Sequence, residues 1–390
     1  MRHRHRAIRN REGALAGTQM RCMRRRHSLA AIACALLSLA ASQAVAADAL
    51  RSPYSGAPSL PQKQQAVRIC PQVPEPIRDL AVVSAFAHGD YTRMDATRTR
   101  TLEEAVKPLH AYLGTVADLA DKAMLSNGPA REAARKCALL LLQRWAEAGA
   151  LLGDVAKPQG GYERKWALAS ISLAYQKLYA GEAMPAPSPE ITQWIKALGD
   201  LLPPDYPASA FIQNNHFYWA GLTAMAAATV IDDRQLYDWG SARIHAGLHA
   251  IDKDGFLPLE LLRGQYALGY HSFAAEPLVM AALFEKANGH PLAGAEAEAL
   301  DRLVHRTLSG LSDPAAFEQR SGKKQALQAK LSGRVLPWLE VYDHLAKDAL
   351  AESWIAALRP MGHIWLGGDT TSAFGRPLPA GPLPPTPFDH

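Results

Sequence analysis

Residues 131–152 read REAARKCALLLLQRWAEAGALL. In this stretch Cys137, Leu140, Leu141, Trp145 and Leu151 recur on one side at helical spacing, among residues that favour helix. The same spacing predicts helices over 165–179, 190–198, 216–230, 233–250, 276–287, 295–308 and 336–350. Between them, 185–189, 252–258 and 288–291 carry the Gly, Pro, Asp or Asn that interrupt helices. No run of strands with βαβ spacing intervenes, so the expectation is an all-α domain of antiparallel helix hairpins. Two stretches depart from that pattern. Residues 84–100, SAFAHGDYTRMDATRTR, are polar and predict a mobile loop over a cleft. Residues 376–390 hold six prolines, which cannot continue a helix and predict an irregular tail.

The amino terminus has a different character. Arg24, Arg25 and Arg26 precede an apolar run from Leu29 to Leu39 that closes on Ala44-Val45-Ala46, the pattern of a secretory leader over 1–47. The run is short for a permanent anchor, so no stable membrane insertion is expected after cleavage near Ala46 or Ala47. The formal charge of +5 is set by this leader, whose nine arginines and one glutamate leave 33 basic against 36 acidic side chains. A mature surface near neutrality gives no reason to expect nucleic acid. Cys70 and Cys137 remain after the leader. In an exported protein they suggest one disulfide, with two separate buried thiols as the alternative.

Chemistry-bearing residues concentrate in two places. Asn214, Asn215, His216, Phe217, Tyr218 and Trp219 are contiguous, and Arg263 is followed by Tyr270 and His271. His216 and Trp219 share a helical face, as do Arg263 and Tyr270 if 261–271 is continuous helix. Amide, imidazole, guanidinium and phenol together suit removal of a proton beside a carboxylate. In a 4-linked uronate, Arg263 and Asn215 would neutralise the carboxylate, while His216 and Tyr270 would move protons at C5 and O4. The outcome is β-elimination, which breaks the glycosidic bond without water. Trp219 would stack on a sugar ring or fill space. Each residue also has an ordinary structural reading: a satisfied core histidine, a helix-capping amide, a packed tryptophan. HExxH, a phosphate loop and GxSxG are missing from the sequence. A glycoside hydrolase using two of Asp252, Asp254 and Glu260 is the enzymatic alternative, and a non-catalytic polysaccharide-binding protein the other.

At these residues the chain resembles the periplasmic alginate lyases of the mannuronate-cleaving type, polysaccharide lyase family 5. The matching blocks are NNHFYWA at 214–220 and DKDGFLPLELLRGQYALGYHSFA at 252–274, with CPQVP, RKWALASISLAY and LGGDTTSAF in order around them. The resemblance implies an incomplete (α/α) toroid over 59–375 with a deep groove and a lid loop. It implies no metal or other cofactor, and a disulfide between Cys70 and Cys137. The roles it implies are those named above for Asn215, His216, Arg263 and Tyr270, with Phe86, Arg93, Tyr266 and Trp365 at groove positions; Trp219 and His271, beside the motif residues, are further candidate substrate contacts. The expected partner of the monomer is an anionic polysaccharide in the periplasm. Three positions depart from the family pattern. A lysine of the lid is Ala85, beside Phe86; an arginine before Leu366-Gly367-Gly368 is Trp365; another, after Arg263-Gly264-Gln265, is Tyr266. Arg93 keeps the match. The expectation is an intact eliminating centre with retuned distal subsites, acting on mannuronate-rich alginate, on polyglucuronate or more broadly.

Overall fold

The computed structural model describes residues 49–56, 69–87, 90–207, 209, 213–327, 331–381 and 383–384. The leader expected over 1–47 lies outside the described residues, as do most of the last residues of the proline-rich tail.

Long helices nearly free of polar residues can be stable in water only when neighbours surround them. Asn215–Ile231 is of this kind, and Gln159–Lys177, although it carries Glu163, Arg164, Lys165 and Lys177, is likewise buried along almost its whole length. They belong to an inner series, Ala96–Leu125, Gln159–Lys177, Asn215–Ile231, Ala267–Ala287 and Leu339–Ala346, in which each helix touches the next. The short helix Thr370–Phe374 touches both the first and the last of them. An outer series packs behind: Gly128–Glu147, Pro189–Gly199, Arg234–His249, Gly294–Ser312 and Ala349–Leu358. Inner and outer helices alternate along the chain, which is the (α/α) toroid expected from the sequence. Two glycines allow the closest pairing: a Cβ on Gly240 would stand 2.6 Å from the Gly221 carbonyl oxygen.

Side-chain caps define where helices begin. Asp95, Ser188, Asp233 and Asp348 each accept a hydrogen bond from a backbone N–H in the first turn. The 131–152 stretch is helical only as far as Glu147; Cys137, Leu141 and Trp145 face inward at intervals of four, while Leu140, one step off that row, is exposed. Leu151 is buried beyond the helix in a left-handed conformation, φ 63°. The helix expected over 276–287 starts at Ala267 and runs through Pro277. The single helix expected over 336–350 is two, separated at Lys347 with φ 55°.

The largest correction concerns 84–100. Phe86–Ala87 and Asp90–Met94 pair as an antiparallel ribbon, and Ala96 already begins the 30-residue helix to Leu125. Residues before the expected domain start at 59 also belong to the fold: Leu50 and Tyr54 are buried, with the Tyr54 ring 5.0 Å from that of Phe374. Cys70 and Cys137 form a disulfide with Cα atoms 5.3 Å apart. Arg376, the first tail residue, is held by Asp343 and Glu352, and no regular element follows it among the described residues.

Candidate active site

The helix Asn215–Ile231 starts where the Asn214 side chain accepts a hydrogen bond from the His216 N–H at 3.1 Å. The cap is therefore Asn214, and Asn215 is the first helical residue, turned inward and fully buried. Its backbone N–H donates to Glu260 Oε1 at 2.7 Å and its Nδ2 to Glu260 Oε2 at 2.9 Å. Glu260 also faces the Arg263 Nε at 3.6 Å. Burial raises the carboxyl pKa of Glu260, opposed by Arg263 and the two Asn215 donors. One buried carboxylate thus links the two sequence clusters.

Arg263 and Tyr270 do not lie on one continuous helix. Pro258–Leu261 ends before Arg263, Gly264 turns the chain at φ 60°, and a 3-10 turn, Gly264–Tyr266, precedes the helix that carries Tyr270. A side chain at position 264 would be strained in that left-handed conformation. The kink lays the Arg263 guanidinium over the Tyr270 ring, 4.4 Å from its centroid, so the expected proximity is reached by folding back.

His216, Arg263 and Tyr270 line one cleft of about 1020 Å³. A second opening of about 540 Å³ shares Tyr91, Tyr162, His216 and Arg263 with the first, so these side chains stand between two lobes, as a groove for a chain molecule requires. The His216 ring is stacked on Tyr162, with centroids 3.6 Å apart and planes 11° apart. Burial pushes its pKa well below the usual histidine value, and the Arg263 guanidinium acts in the same direction. The imidazole is therefore neutral and able to accept a proton. Burial pushes the Tyr270 hydroxyl up to about 12 despite the opposing Arg263, so this phenol keeps its proton to donate.

Of the expected substrate contacts, Phe86, Tyr266 and Trp365 line the cleft. Phe86 sits 6.4 Å from Tyr270 and 6.2 Å from Tyr266, ring to ring. Trp365 is stacked on Trp166 at 4.1 Å. Its hairpin is tied down by the buried Lys177, whose Nζ donates to Gly367 O at 2.8 Å and to Asp369 O at 3.2 Å. Arg93 is exposed on the ribbon and is not among the residues lining either lobe.

Three further expected site residues lie outside the lining of both lobes. Trp219 is fully buried and lines neither lobe, because on an inner helix its face meets Phe273 at 5.4 Å. His271 is also fully buried; its Nε2 accepts from the Leu257 N–H and its Nδ1 donates to Ala267 O, which makes it a brace for the turn before Arg263. Asn215 does not reach the lining of either lobe and donates to Glu260 instead. The acids proposed for a hydrolase are engaged elsewhere: Glu260 is sealed, and Asp252 and Asp254 bind Arg320. Sequence reasoning missed Tyr162, Lys165 and Trp166. Lys165 and Trp166 lie inside the RKWALASISLAY block, so the signal was a family-like motif, while Tyr162 falls two residues before it.

Residues 85–317 match the sequence profile described as alginate lyase. A curated polysaccharide lyase of Stenotrophomonas maltophilia is 33% identical over 319 residues, 80% of this chain and 93% of the relative. An alginate lyase of Azotobacter vinelandii is 34% identical over 358 residues, covering 88% and 94%. One of Pseudomonas aeruginosa is 32% identical over 358 residues, covering 89% and 95%. The crystal structure of alginate lyase A1-III from Sphingomonas species A1 superposes with a TM-score of 0.70 at 18% identity, over 86% of this chain and all of that one. A variant of that enzyme was solved in complex with a tetrasaccharide. The chain belongs to the alginate lyase family.

Proposed function

We propose that this member of the alginate lyase family cleaves mannuronate-rich alginate by β-elimination at a 4-linked uronate. The observation that carries the reading is the Arg263 guanidinium folded over Tyr270 in the same cleft wall as a neutral His216. The C5 proton of a uronate is weakly acidic because the carboxylate beside it must take up the developing charge. Arg263, braced by Glu260 and Asn215, stabilises that charge. His216 takes the C5 proton. The C–H electron pair becomes the C4–C5 double bond, and O4 departs with the glycosidic pair and takes the Tyr270 proton. The His216 proton returns to Tyr270 through solvent, so the centre resets without net consumption of acid or base.

A broader substrate range is the second reading, favoured by one observation. Around the catalytic side chains, Trp365 on Trp166 and Tyr266 beside Phe86 offer ring faces where ion pairs with a polyanion would otherwise form. Rates on polymannuronate, polyguluronate, polyglucuronate and hyaluronan, followed by absorbance of the new double bond, separate the two readings. Strong preference for polymannuronate supports the first; comparable rates on polyglucuronate support the second. Product without the unsaturated bond would refute elimination altogether. For the mechanism, Tyr270→Phe and His216→Ala should each lower kcat by about 1,000-fold with the fold intact by circular dichroism. We place this monomeric enzyme in the periplasm, a setting supported by the Cys70–Cys137 disulfide and testable by cell fractionation.

A further inference from the structure

His216 has two ring nitrogens, and the lyase reading assigns a role to only one. Nε2 has no hydrogen-bond partner among the described residues, whereas Nδ1 faces the Nζ of Lys165 at 3.4 Å. For Nε2 to hold a lone pair in the neutral ring, Nδ1 must carry the hydrogen, and a hydrogen there needs an acceptor. In many enzymes a carboxylate takes that place. Here it is an amine.

Lys165 is 2% exposed. Its Nζ donates to His216 O at 3.1 Å and lies 5.1 Å, 5.2 Å and 4.7 Å from the ring centroids of Tyr162, Trp166 and Tyr206. No carboxylate makes an ion pair with it among the described residues. The charged groups acting on it from further away are Glu163, which accepts from His110 and Gln159, and Asp205, which pairs with Arg164 and Lys157. Arg263 acts on His216 from the cleft side. A buried ammonium without a counter-ion is costly, and burial drives the amine's pKa well below the usual lysine value. A neutral amine matches the surroundings by valence: one N–H for His216 O, one for a ring face, and a lone pair for Nδ1–H.

We propose that Lys165 is a positioning residue for His216, a buried neutral amine that accepts the Nδ1 hydrogen and so presents the Nε2 lone pair to the cleft. The proposal rests on the lyase reading for its catalytic consequence. When His216 takes the C5 proton at Nε2, the positive charge is shared along Nδ1–H···Nζ, and the three aromatic faces favour the cation that forms. An amine does this without adding a negative charge to a site that must receive a polyanion, which a carboxylate would do.

The test is nitrogen-15 NMR of labelled histidine in the intact protein, with the His216 resonances assigned through His216→Gln. The expected wild-type spectrum has Nδ1 protonated and Nε2 unprotonated at neutral pH. Lys165→Arg, whose guanidinium can only donate, should reverse the tautomer and lower kcat by about 100-fold with KM changed less than about threefold. Lys165→Gln, whose amide oxygen can accept, should keep the wild-type tautomer and a kcat within about tenfold of wild type. An Nε2-protonated wild-type ring, or a Lys165→Arg variant with normal kcat, would overturn the proposal. If Lys165→Arg does not fold, the wild-type spectrum and Lys165→Gln decide. The spectra need no substrate, so an absence of lyase activity would remove the lyase reading while leaving the tautomer to be judged on its own.

Discussion

The floor and the rim of the cleft are built on opposite plans. On the floor, Glu260, Asn215, Arg263, Lys165 and His216 are mostly buried and held by one another: Glu260 binds Asn215 and faces Arg263, and Lys165 meets His216 from another helix. On the rim, Phe86, Tyr91 and Trp365 sit on a short ribbon and a hairpin, and Tyr91 is 44% exposed. Buried polar groups lose much when a partner is removed, because the survivor cannot turn to water. Rim aromatics keep their solvent and lose only contact area. On the proposed mechanism chemistry and recognition are therefore separable: floor changes should damage stability and kcat together, and rim changes should move KM.

The largest effect is expected of Glu260→Ala. It strands Arg263 as an unpaired buried charge and leaves both Asn215 donors without an acceptor, so unfolding in urea should show a loss of about 3–5 kcal/mol. A loss under about 1 kcal/mol would mean that the floor is more hydrated than its contacts imply. The next effect belongs to the rim. Trp365→Ala should raise KM about tenfold on polymeric substrate while kcat stays within about threefold. Equal losses in kcat would place Trp365 in the chemical step and erase the distinction.

The smallest expected effect concerns pH. Since burial holds the His216 pKa below its ordinary value, the free enzyme keeps its base unprotonated as pH falls through 6.5. Between pH 7.5 and 6.5, kcat/KM should therefore drop by less than about 1.2-fold, whereas a base of ordinary histidine pKa would lose about 1.8-fold. An acid limb with its midpoint at or above the ordinary histidine value would show that water reaches the ring. No alkaline limb from Tyr270 is expected until near its pKa of about 12.

Legibility from the sequence followed burial geometry. Apolar periodicity located the buried rows Cys137–Leu141–Trp145 and the inner helix starting at Asn215, because side-chain spacing reports which face is covered. The 30-residue helix from Ala96 was not read, since its first turns carry Thr and Arg and continue the polar stretch that starts at Ser84. The single helix assumed across 261–271 failed at Gly264, where one backbone angle outweighed the spacing of Arg263 and Tyr270. Trp219 and His271 were placed by adjacency to the motif, but neighbours along an inner helix point into different environments, and both are fully buried.

What the sequence alone determined is therefore the class of fold and the side chains able to do the chemistry: hairpins of helices, with imidazole, guanidinium and phenol in two short blocks. Only the tertiary structure decided which of those groups share a cleft and which support it from beneath. It put Glu260 between Asn215 and Arg263, and Lys165 behind His216, across separations of 45 and 51 residues. The physical reason is that local spacing fixes direction around a helix axis, whereas contact between helices depends on how inner and outer layers pack, and no local pattern encodes that.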